Sequence, residues 1–466
     1  RIWAGVLVAA AAQMRARRDE LSAVMIKEAG KTWREADADV CEAIDFCEYY
    51  ARHAMPLFER RRIGRFIGEL DEQWHQPRGV AVVISPWNFP LAILCGMTVA
   101  ALVTGNTVVV KPAEQTPGIA LLMHQVLSRA IESALAPVSR SAPFGPGGVN
   151  PEDILQFCPA PGETTGAALV RDPRTAIVAF TGSMHVGLDI LHAAAPPSPF
   201  AGTNFSVPTH VKKIVCEMGG KNAIIIDTSA DLDEAVLGVR HSAFGFQGQK
   251  CSACSRVIVV DPQGPDGPAV ELFTRRFVEA TRALVVGDPA MPGTDVGPVI
   301  DEASRDKILR YIELGRRQSR LELAMPVPEG LEQRTGRAFV GPHIFGAVRP
   351  DHAIATDEIF GPVVGILHAR TFQEAIDLAN SSLYKLTGAV YSRKPSHLDL
   401  ARRDFRVGNL YLNRGSTGAL VARQPFGGFG MSGTGSKAGG DEYLLHFVEP
   451  RVSCENAMRR GFAPEL

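Results

Sequence analysis

An alternation of strand-like and helix-like runs constrains the fold of this chain more than any other feature. Between residues 79 and 135 the chain reads GVAVVIS, PLAILCGMTVAALVTG, NTVVVKP and GIALLMHQVLSRAIESAL in turn. This rhythm predicts parallel pairing, because parallel strands need a crossover helix between them. It continues through DILQFCP, GETTGAALVRD and TAIVAFTG. We therefore predict a doubly wound α/β sheet whose ligands lie beyond the carboxyl ends of its strands.

A second α/β block follows the first. The chain has 466 residues, too many for one core, so we expect two or three domains. The second block begins near VKKIVCEMGGKNAIIID, residues 211–227, and includes the strand-like runs SRVIVVD, RAFVGPHIF and VVGILHA. Two further runs, FIGELDEQWHQPRG and LLHFVEPRVSC, also suggest strands. We expect the second of these, near the end of the chain, to pair with the first or with a second subunit.

Charge and cysteine content narrow the classes of function. Lys and Arg number 49 against 50 for Asp and Glu, with the signs interspersed, which disfavours nucleic acid or an anionic membrane as partner. Eight cysteines in so long a chain do not form a dense disulfide framework, so we expect a reducing compartment: the cytoplasm, or the mitochondrial matrix in a eukaryote. No run approaches the ~20 apolar residues of a membrane span. A soluble protein that acts on small molecules is expected.

The first residues, RIWAGVLVAAAAQM, mimic a secretory signal peptide. The apolar run passes into QMRARRDELSAVMIKEAG without a turn residue before Gly30, which favours a helix instead. We predict a helix that is cut off at its beginning and ends at Gly30, and a second helix after it.

Several predicted strands end in side chains suited to ligand chemistry. Lys111 and Glu114 could hold the two hydroxyls of a ribose, although a surface salt bridge explains the pair equally well. Gly182 and Ser183 open a helix whose free N–H groups could hold a phosphate, a weak signal when taken alone. Asn88 could donate to an oxyanion, and Glu217 could act as a base or be purely structural.

Two glycine-rich or cysteine-rich motifs need separate interpretation. GMSGTGSK, residues 430–437, has the glycine spacing of a P-loop, but its Ser precedes its Lys and no strand leads in, so we predict a loop.

Cys251 and Cys254 have CxxC spacing, but a second ligand pair for zinc is missing. The interpretation of these two cysteines as a thioredoxin-like redox pair stays open. Because Cys254 begins a predicted strand, Cys251 is the candidate nucleophile, and a Cys/His hydrolase using His241 is the chemical rival.

Seven motifs in order carry a family resemblance: WNFP, KPAE, FTGS, EMGGKN, GQKCSA, DEIFGPV and PFGG resemble the NAD(P)-dependent aldehyde dehydrogenases through essentially the whole chain. The resemblance implies an α/β, aldehyde dehydrogenase-like fold with a Rossmann-like cofactor domain, an α/β catalytic domain and a β-strand oligomerisation arm. We assign residues 1–58 and 77–217 to the NAD-binding domain, 218–431 to the catalytic domain, and 59–76 and 441–455 to the arm. The loop ALAPVSRSAPFGPGGVNPED is longer than the usual link, which leaves the cofactor pocket least certain.

The resemblance also implies roles for individual residues. Cys251 is the expected nucleophile, Asn88 an oxyanion donor and Glu217 the base that activates water, with no metal involved. NAD is the expected cofactor, favoured over NADP because Glu114 would repel a 2′-phosphate. The residues expected to bind it are Ser85, Pro86, Trp87, Lys111, Glu114, Gly162, Gly166, Phe180, Thr181, Gly182, Ser183, Gly219, Glu358 and Phe360.

Within the family, three stretches resemble the members that oxidise L-glutamate γ-semialdehyde to L-glutamate: FGFQGQKCSACSR, GSTGALVARQPFGG and YSRKPSHLDLARRDFRVGNLYLNR. By this resemblance the Ser252 hydroxyl and the amides of Gly418 and Ala419 bind the α-carboxylate, while Phe89 and Phe426 flank the aliphatic chain. Three alternatives stay open: an enzyme for another semialdehyde or aliphatic aldehyde, a member that keeps the fold only, and one module of a bifunctional proline-oxidising enzyme. A homodimer or higher homo-oligomer is expected.

Overall fold

The computed structural model of the protein describes residues 1–136, 150–195, 211–456 and 458. Most of the long loop noted in the sequence, residues 137–149, lies outside them. The helices are α1 (Ile2–Ala16), α2 (Arg18–Ala29), α3 (Trp33–His53), α4 (Ala92–Val103), α5 (Pro117–Leu135), α6 (Pro151–Ile154), α7 (Ala167–Arg171), α8 (Met184–Ala194), α9 (Leu232–Phe244), α10 (Pro268–Arg282), α11 (Glu302–Gln318), α12 (Leu331–Thr335), α13 (Ala353–Thr356), α14 (Phe372–Asn380) and α15 (Pro395–Asp404).

The strands are β1 (Arg61–Arg62), β2 (Glu69–Pro77), β3 (Val80–Ile84), β4 (Thr107–Lys111), β5 (Leu155–Phe157), β6 (Thr175–Thr181), β7 (Lys213–Glu217), β8 (Asn222–Ile226), β9 (Cys254–Val260), β10 (Arg320–Ala324), β11 (His343–Gly346), β12 (Val363–Ala369), β13 (Tyr384–Lys385), β14 (Thr387–Tyr391), β15 (Asn409–Leu412), β16 (Phe429–Gly430) and β17 (Val448–Asn456). Short turns of 3-10 or π helix cover Met55–Phe58, Gly162–Gly166, Gly245–Gly248 and Asp441–Phe447.

The first sheet is parallel, with strand order β5-β4-β3-β6-β7. The chain builds β3, β4 and β5 outward and then returns to the other side of β3 for β6 and β7. Helix α4 is apolar around its whole circumference and almost completely buried, as expected for a helix covered on both sides. The doubly wound sheet predicted from the alternating runs is therefore confirmed, and its switch point lies between β3 and β6.

The second sheet has the order β10-β11-β12-β9-β8-β14-β15, with all pairs parallel except β10 with β11. The expectation that this block begins near residue 211 was wrong, because β7 pairs with β6 and so completes the first sheet. Residues 218–221, Met-Gly-Gly-Lys, cross from one sheet to the next, and β8 starts the second. The division of the chain into domains stays a prediction.

A third, small sheet joins the two ends of the chain in the order β1-β2-β17. Strand β17 runs antiparallel to β2, from Val448 opposite Pro77 to Asn456 opposite Glu69. The predicted pairing of the tail with the early strand is confirmed. The strand begins later than the sequence suggested, because residues 441–447 form a 3-10 turn that packs Tyr443 into the first core.

The N-terminal helices differ in one respect from the sequence prediction. The first helix does not run unbroken to Gly30, because Arg17 leaves the helical conformation and separates α1 from α2. Gly30 does end α2, and its positive φ of 69° is the left-handed conformation that glycine adopts most easily. Among the described residues, no helix is long and apolar enough to cross a membrane.

Candidate active site

One large cleft lies beyond the carboxyl ends of β3, β4 and β6. Its volume is about 940 Å³, in the range of small-molecule and cofactor sites. It opens at the switch point of the first sheet, where ligands bind in folds of this kind. Asn88 and Cys251 line it, as do all the residues predicted to bind the cofactor: Ser85, Pro86, Trp87, Lys111, Glu114, Gly162, Gly166, Phe180, Thr181, Gly182, Ser183, Gly219, Glu358 and Phe360.

Lys111 and Glu114 form a pair on one wall of this cleft. The Lys111 Nζ lies 3.3 Å from Glu114 Oε1, which also accepts a 2.7 Å hydrogen bond from the Gly162 N–H. Partial burial opposes ionisation, but these two donors lower the pKa of the Glu114 carboxyl overall. Because the Glu114 side chain is 54% exposed while that of Lys111 is 4% exposed, the carboxylate stays accessible to a ligand.

The turn after β6 brings backbone close to the cleft. A Cβ on Gly182 would lie 2.6 Å from the Phe180 ring, so a larger residue does not fit without movement. Ser183 is the N-cap of α8, and its Oγ accepts from the Val186 N–H at 3.4 Å. The first turn of α8 thus offers N–H groups and the positive end of a helix dipole to an anion in the cleft.

Glu358 lies on the wall of the cleft beside the crossing from β7 to β8. Its Oε1 accepts a 2.8 Å hydrogen bond from the Gly220 N–H. A Cβ on Gly219 would lie 2.1 Å from Oε2, so this approach requires glycine. Burial raises the pKa of Glu358 despite that hydrogen bond and the nearby charges of Lys307 and Lys221.

Sequence reasoning missed Lys307, which also lines the cleft. Its Nζ donates to the Glu358 backbone oxygen at 3.1 Å and so supports the segment that carries the carboxylate. Lys307 lies within α11, where no motif marks it, and only the long-range packing of that helix brings it to the site. Next to Glu358, Phe360 has a positive φ of 59°, and its ring contacts Trp87 edge to face at 5.5 Å.

Cys251 lies in the turn that precedes β9, and Cys254 is the first residue of that strand, as predicted. The Cys251 carbonyl accepts a 2.7 Å hydrogen bond from Asn222 Nδ2, which also donates to Ala253 O at 2.9 Å. This amide fixes the backbone of the turn. Burial raises the pKa of the Cys251 thiol to about 12, and the carboxylates of Glu358 and Glu217 add to the effect. The thiol is therefore neutral at rest.

Asn88 reaches the same turn from the end of β3. Its Nδ2 donates to the Gln249 backbone oxygen at 3.0 Å, while the Gln249 side chain accepts from the Ile300 N–H at 2.9 Å. Just before this turn, Phe246 and Gln247 have positive φ values of 49° and 57°. One amide hydrogen of Asn88 thus holds it against the cysteine turn. Within the described part of the chain the second amide hydrogen has no partner, so this geometry leaves a donor of the kind that an oxyanion needs.

Glu217 ends β7 but does not line the cleft in this structure. Its two carboxylate oxygens accept from Ser436 Oγ at 2.5 Å and from the Gly428 N–H at 3.2 Å. Burial raises the pKa of the carboxyl to about 8, against the effect of these two donors and of Lys437. The glycine-rich stretch before Ser436 has no regular structure apart from a short strand, β16. Sequence analysis left it without a role, and the structure places it against Glu217.

The predicted substrate residues come from separate loops. Ser252 follows Cys251, and its carbonyl accepts from Ser416 Oγ at 3.3 Å, which ties it to the loop that carries Gly418 and Ala419. Phe89 is half-buried beneath Lys31 Nζ, 4.1 Å from the ring centroid. Phe426 pairs with Ala438 in an isolated antiparallel bridge. None of the five predicted substrate residues, Phe89, Ser252, Gly418, Ala419 and Phe426, lines the large cleft.

The rival Cys/His pairing finds no support in the geometry. His241 lines a separate pocket of about 130 Å³ together with Glu35, and it does not line the cleft that contains Cys251. Lys250, next to the nucleophile candidate in sequence, forms a 2.7 Å ion pair with Glu35. Burial lowers the pKa of His241, and the charge of Lys250 adds to the effect. Lys250 is buried and His241 is exposed, and neither side chain lines the cleft.

Comparison with known proteins decides the family. Residues 4–452 match the model of the aldehyde dehydrogenase family. The chain belongs to the aldehyde dehydrogenase family. Two of the residues on which the sequence resemblance rested, Asn88 and Cys251, line the large cleft.

Several individual aldehyde dehydrogenases are similar over nearly the whole chain. A 1-pyrroline-5-carboxylate dehydrogenase of Geobacillus thermodenitrificans is 46% identical over 97% of this chain and 81% of its own length. The crystal structure of the enzyme of that name from Thermus with bound NAD superposes with a TM-score of 0.86 at 42% identity, covering 97% of this chain and 81% of that one. Proline utilization A from Bdellovibrio bacteriovorus gives a TM-score of 0.88 at 44% identity, covering 99% of this chain but 44% of that one.

Proposed function

We propose that the protein is an NAD-dependent aldehyde dehydrogenase that oxidises L-glutamate γ-semialdehyde, the hydrolysed form of 1-pyrroline-5-carboxylate, to L-glutamate in the second step of proline catabolism. The observation that carries the proposal is the position of Cys251. It lies on the wall of a cofactor-sized cleft, with Asn88 bonded to its turn and Ser252 bonded to the loop of Gly418. The relatives named 1-pyrroline-5-carboxylate dehydrogenase supply the choice of substrate.

The cleft fits NAD in size and in chemistry. The Lys111–Glu114 pair suits the hydroxyls of one ribose, and Glu358 suits those of the other. Gly182 and Gly219 let the backbone pack closely against Phe180 and Glu358 in the wall of the cleft, where a Cβ would clash. When bound, NAD would supply the hydride acceptor for the carbon of the Cys251 adduct, so that this carbon becomes the carbonyl of a thioester.

The remaining steps belong to this chain's own residues. The Cys251 thiol releases its proton to solvent, and the sulfur forms a bond to the aldehyde carbon while the carbonyl π electrons move to the oxygen. The oxygen becomes an oxyanion, which the free Asn88 amide hydrogen and the Cys251 backbone N–H stabilise. Glu217 then takes a proton from the water that hydrolyses the thioester. To do so, its carboxylate turns away from Ser436 and Gly428, its partners in this structure.

The substrate's far end carries an ammonium and a carboxylate. The hydroxyl of Ser252 and the N–H groups of Gly418 and Ala419 bind the carboxylate. Phe89 and Phe426 provide aromatic contact for the aliphatic chain without demanding hydrogen bonds. Selectivity therefore depends on the fixed span from Cys251 to these donors.

A second candidate arrangement follows from one comparison. The match to proline utilization A covers 44% of that chain and 99% of this one. The same activity could therefore reside in one module of a longer bifunctional protein.

We also propose that the β1-β2-β17 sheet mediates a homodimer or higher homo-oligomer, and that the protein works in the cytoplasm. The eight free cysteines support a reducing compartment.

A comparison of substrates tests the proposal. With NAD in excess, the initial rate of NADH formation is measured for glutamate γ-semialdehyde, succinic semialdehyde, propanal and acetaldehyde. We expect kcat/KM for glutamate γ-semialdehyde to exceed each of the others by at least about tenfold, since lost contacts to a charged end group are worth that much. Equal or better use of a simple aldehyde would overturn the substrate assignment and leave the family unaffected.

A further inference from the structure

We propose that Arg414 determines specificity for the amino acid end of the substrate by turning two backbone N–H groups, those of Gly418 and Ala419, toward the α-carboxylate. The inference rests on the proposed function, because it explains how the carboxylate site of that function is held. Arg414 is a positioning residue: it acts through the loop and does not touch the reacting atoms.

The Arg414 guanidinium is held on both sides. Its Nη2 donates to the carbonyl oxygens of Thr417 at 2.9 Å and Gly418 at 3.2 Å. Its Cζ lies 4.7 Å from the centroid of the Tyr411 ring, a cation–π contact with the last strand of the second sheet. These hydrogen bonds fold the loop of residues 414–418 around the Arg414 guanidinium.

The direction of these two carbonyl groups fixes the direction of the backbone N–H groups that follow them. In a planar trans peptide the carbonyl and the following N–H point in opposite directions. The Thr417 carbonyl shares its peptide with the Gly418 N–H, and the Gly418 carbonyl shares its peptide with the Ala419 N–H. Because both carbonyls face Arg414, both N–H groups face away from it. Gly418 has a positive φ of 76°, and successive N–H groups around a left-handed residue form a concave anion site.

The donors of this loop are available. Among the residues that the structure describes, the N–H groups of Gly418 and Ala419 donate no hydrogen bond. The Thr417 hydroxyl is 4% exposed and likewise has no partner within the described part of the chain. A buried polar group without a partner is costly, which points to a ligand that completes it.

The position of this loop relative to the nucleophile is also fixed. Ser416 Oγ donates to the Ser252 carbonyl at 3.3 Å, and the Ser416 N–H donates to Ser242 Oγ at 3.0 Å on helix α9. Thr387 Oγ1 donates to the same Ser252 carbonyl at 3.3 Å. These hydrogen bonds fix the loop relative to the cysteine turn, and the distance between the two sets the length of substrate that spans them.

Arg414 suits this task better than a direct ion pair would. A guanidinium that bonds two carbonyls polarises both peptides, so their N–H groups become stronger donors. Its charge attracts the carboxylate from behind the loop, while neutral N–H groups make the contact. The substrate's ammonium group is thus not pressed against a cation, and a zwitterion is accepted.

Three variants test the inference. Arg414→Met removes the charge and both hydrogen bonds, Arg414→Lys keeps the charge but replaces the planar guanidinium with an ammonium group on a shorter side chain, and Arg402→Met is the matched control. Arg402 lies on α15, is exposed and pairs with Asp399. Each variant is assayed with glutamate γ-semialdehyde and with butanal, which has no carboxylate. Inhibition by L-glutamate, measured with butanal as substrate, reports binding separately from turnover, and the midpoint of thermal unfolding reports folding.

We expect Arg414→Met to lower the ratio of kcat/KM for glutamate γ-semialdehyde over butanal by about tenfold or more, mainly through KM, since hydrogen bonds to charged groups are worth this much. Inhibition by L-glutamate should weaken in parallel. Arg414→Lys should recover part of the ratio, and Arg402→Met should leave it unchanged. If Arg414→Met does not fold, the partial loss in Arg414→Lys carries the same test.

The results that would contradict this inference differ from those that would contradict the proposed function. An unchanged ratio in both Arg414 variants, or an equal loss with both substrates, would overturn the inference while the proposed function stands. A wild-type enzyme that prefers butanal would instead overturn the proposed function, whatever the variants do.

Discussion

The cofactor end and the substrate end of the active site are built in different ways. The proposed cofactor end consists mainly of short stretches that directly follow strands of the first sheet: residues 85–87 after β3, 112–114 after β4 and 182–183 after β6. The proposed substrate end consists of Ser252, the loop at 414–419 and Phe426. The Ser416 hydroxyl joins this loop to the Ser252 carbonyl across 164 positions of sequence. The position of a residue at a strand end is set by that strand. The position of a loop depends instead on the hydrogen bonds that it makes with other segments.

This difference predicts that the two ends respond separately to substitution. Changes at the cofactor end should alter the use of NAD and leave the choice of aldehyde intact, and changes at the substrate end should do the reverse. Cys251 and Asn88 lie between them and should affect turnover with every substrate.

The largest effect is expected at the nucleophile. Cys251→Ala should lower kcat by at least about 10⁴-fold, because no other group can form the covalent intermediate. Binding of NAD, measured by titration of protein fluorescence, should persist because the cofactor end does not depend on the thiol. Cys254→Ala is the matched control and should keep most activity. Loss of activity in the Cys254 variant alone would reverse the assignment.

The next effect is expected at the oxyanion donor. Asn88→Ala should lower kcat by about 10²–10³-fold, the usual result of removing one such donor. Steady-state rates with glutamate γ-semialdehyde and with butanal should fall by similar factors, because both substrates form the same oxyanion. A loss confined to one substrate would place Asn88 at the substrate end and break the separation of the two ends.

A smaller effect is expected at the ribose pair. Glu114→Gln should raise KM for NAD by about tenfold, the cost of one weakened charge-assisted hydrogen bond, and should improve the use of NADP. The preference among aldehydes should not change. If KM for NAD stayed at the wild-type value, Glu114 would not contact the cofactor.

The smallest effect is a shift in pH dependence. The pKa of Glu217 is about 8, and Ser436 lowers it by donating to the carboxylate. A general base works when deprotonated, so the rate of thioester hydrolysis should rise with pH through about this value. Ser436→Ala should move this rise in rate to higher pH, because the substitution removes a hydrogen bond that favours the charged form of Glu217. The pH profile of single-turnover hydrolysis is the measurement, and a shift to lower pH would contradict the hydrogen bond's role.

Much of the fold and of the cofactor end could be predicted from the sequence. Alternating runs gave the parallel sheet, and motif positions marked Lys111, Glu114 and Glu358, all of which line one cleft. The sheet and the common location of these residues could be predicted because the strands and the motifs that follow them are local in sequence, and their roles toward a cofactor stay predictions. The break at Arg17 was missed because no glycine or proline marks it.

The supports of the site could not be predicted in the same way. Lys307 reaches the cleft from a helix without a motif, and Ser436 bonds Glu217 although 219 positions of sequence separate them. Asn222 holds the Cys251 carbonyl although it lies far away in sequence. Each contact depends on how separate elements pack, and packing of this kind leaves no periodic or local signal.

Trapping of the acyl-enzyme tests the central claim most directly. Glu217→Gln enzyme is mixed with NAD and glutamate γ-semialdehyde, quenched in acid and digested, and the peptide that contains both Cys251 and Cys254 is sequenced by mass spectrometry. The account predicts a glutamyl thioester on Cys251 that accumulates because its hydrolysis lacks a base. An adduct on Cys254, or rapid NADH formation without any adduct on Cys251, would contradict it.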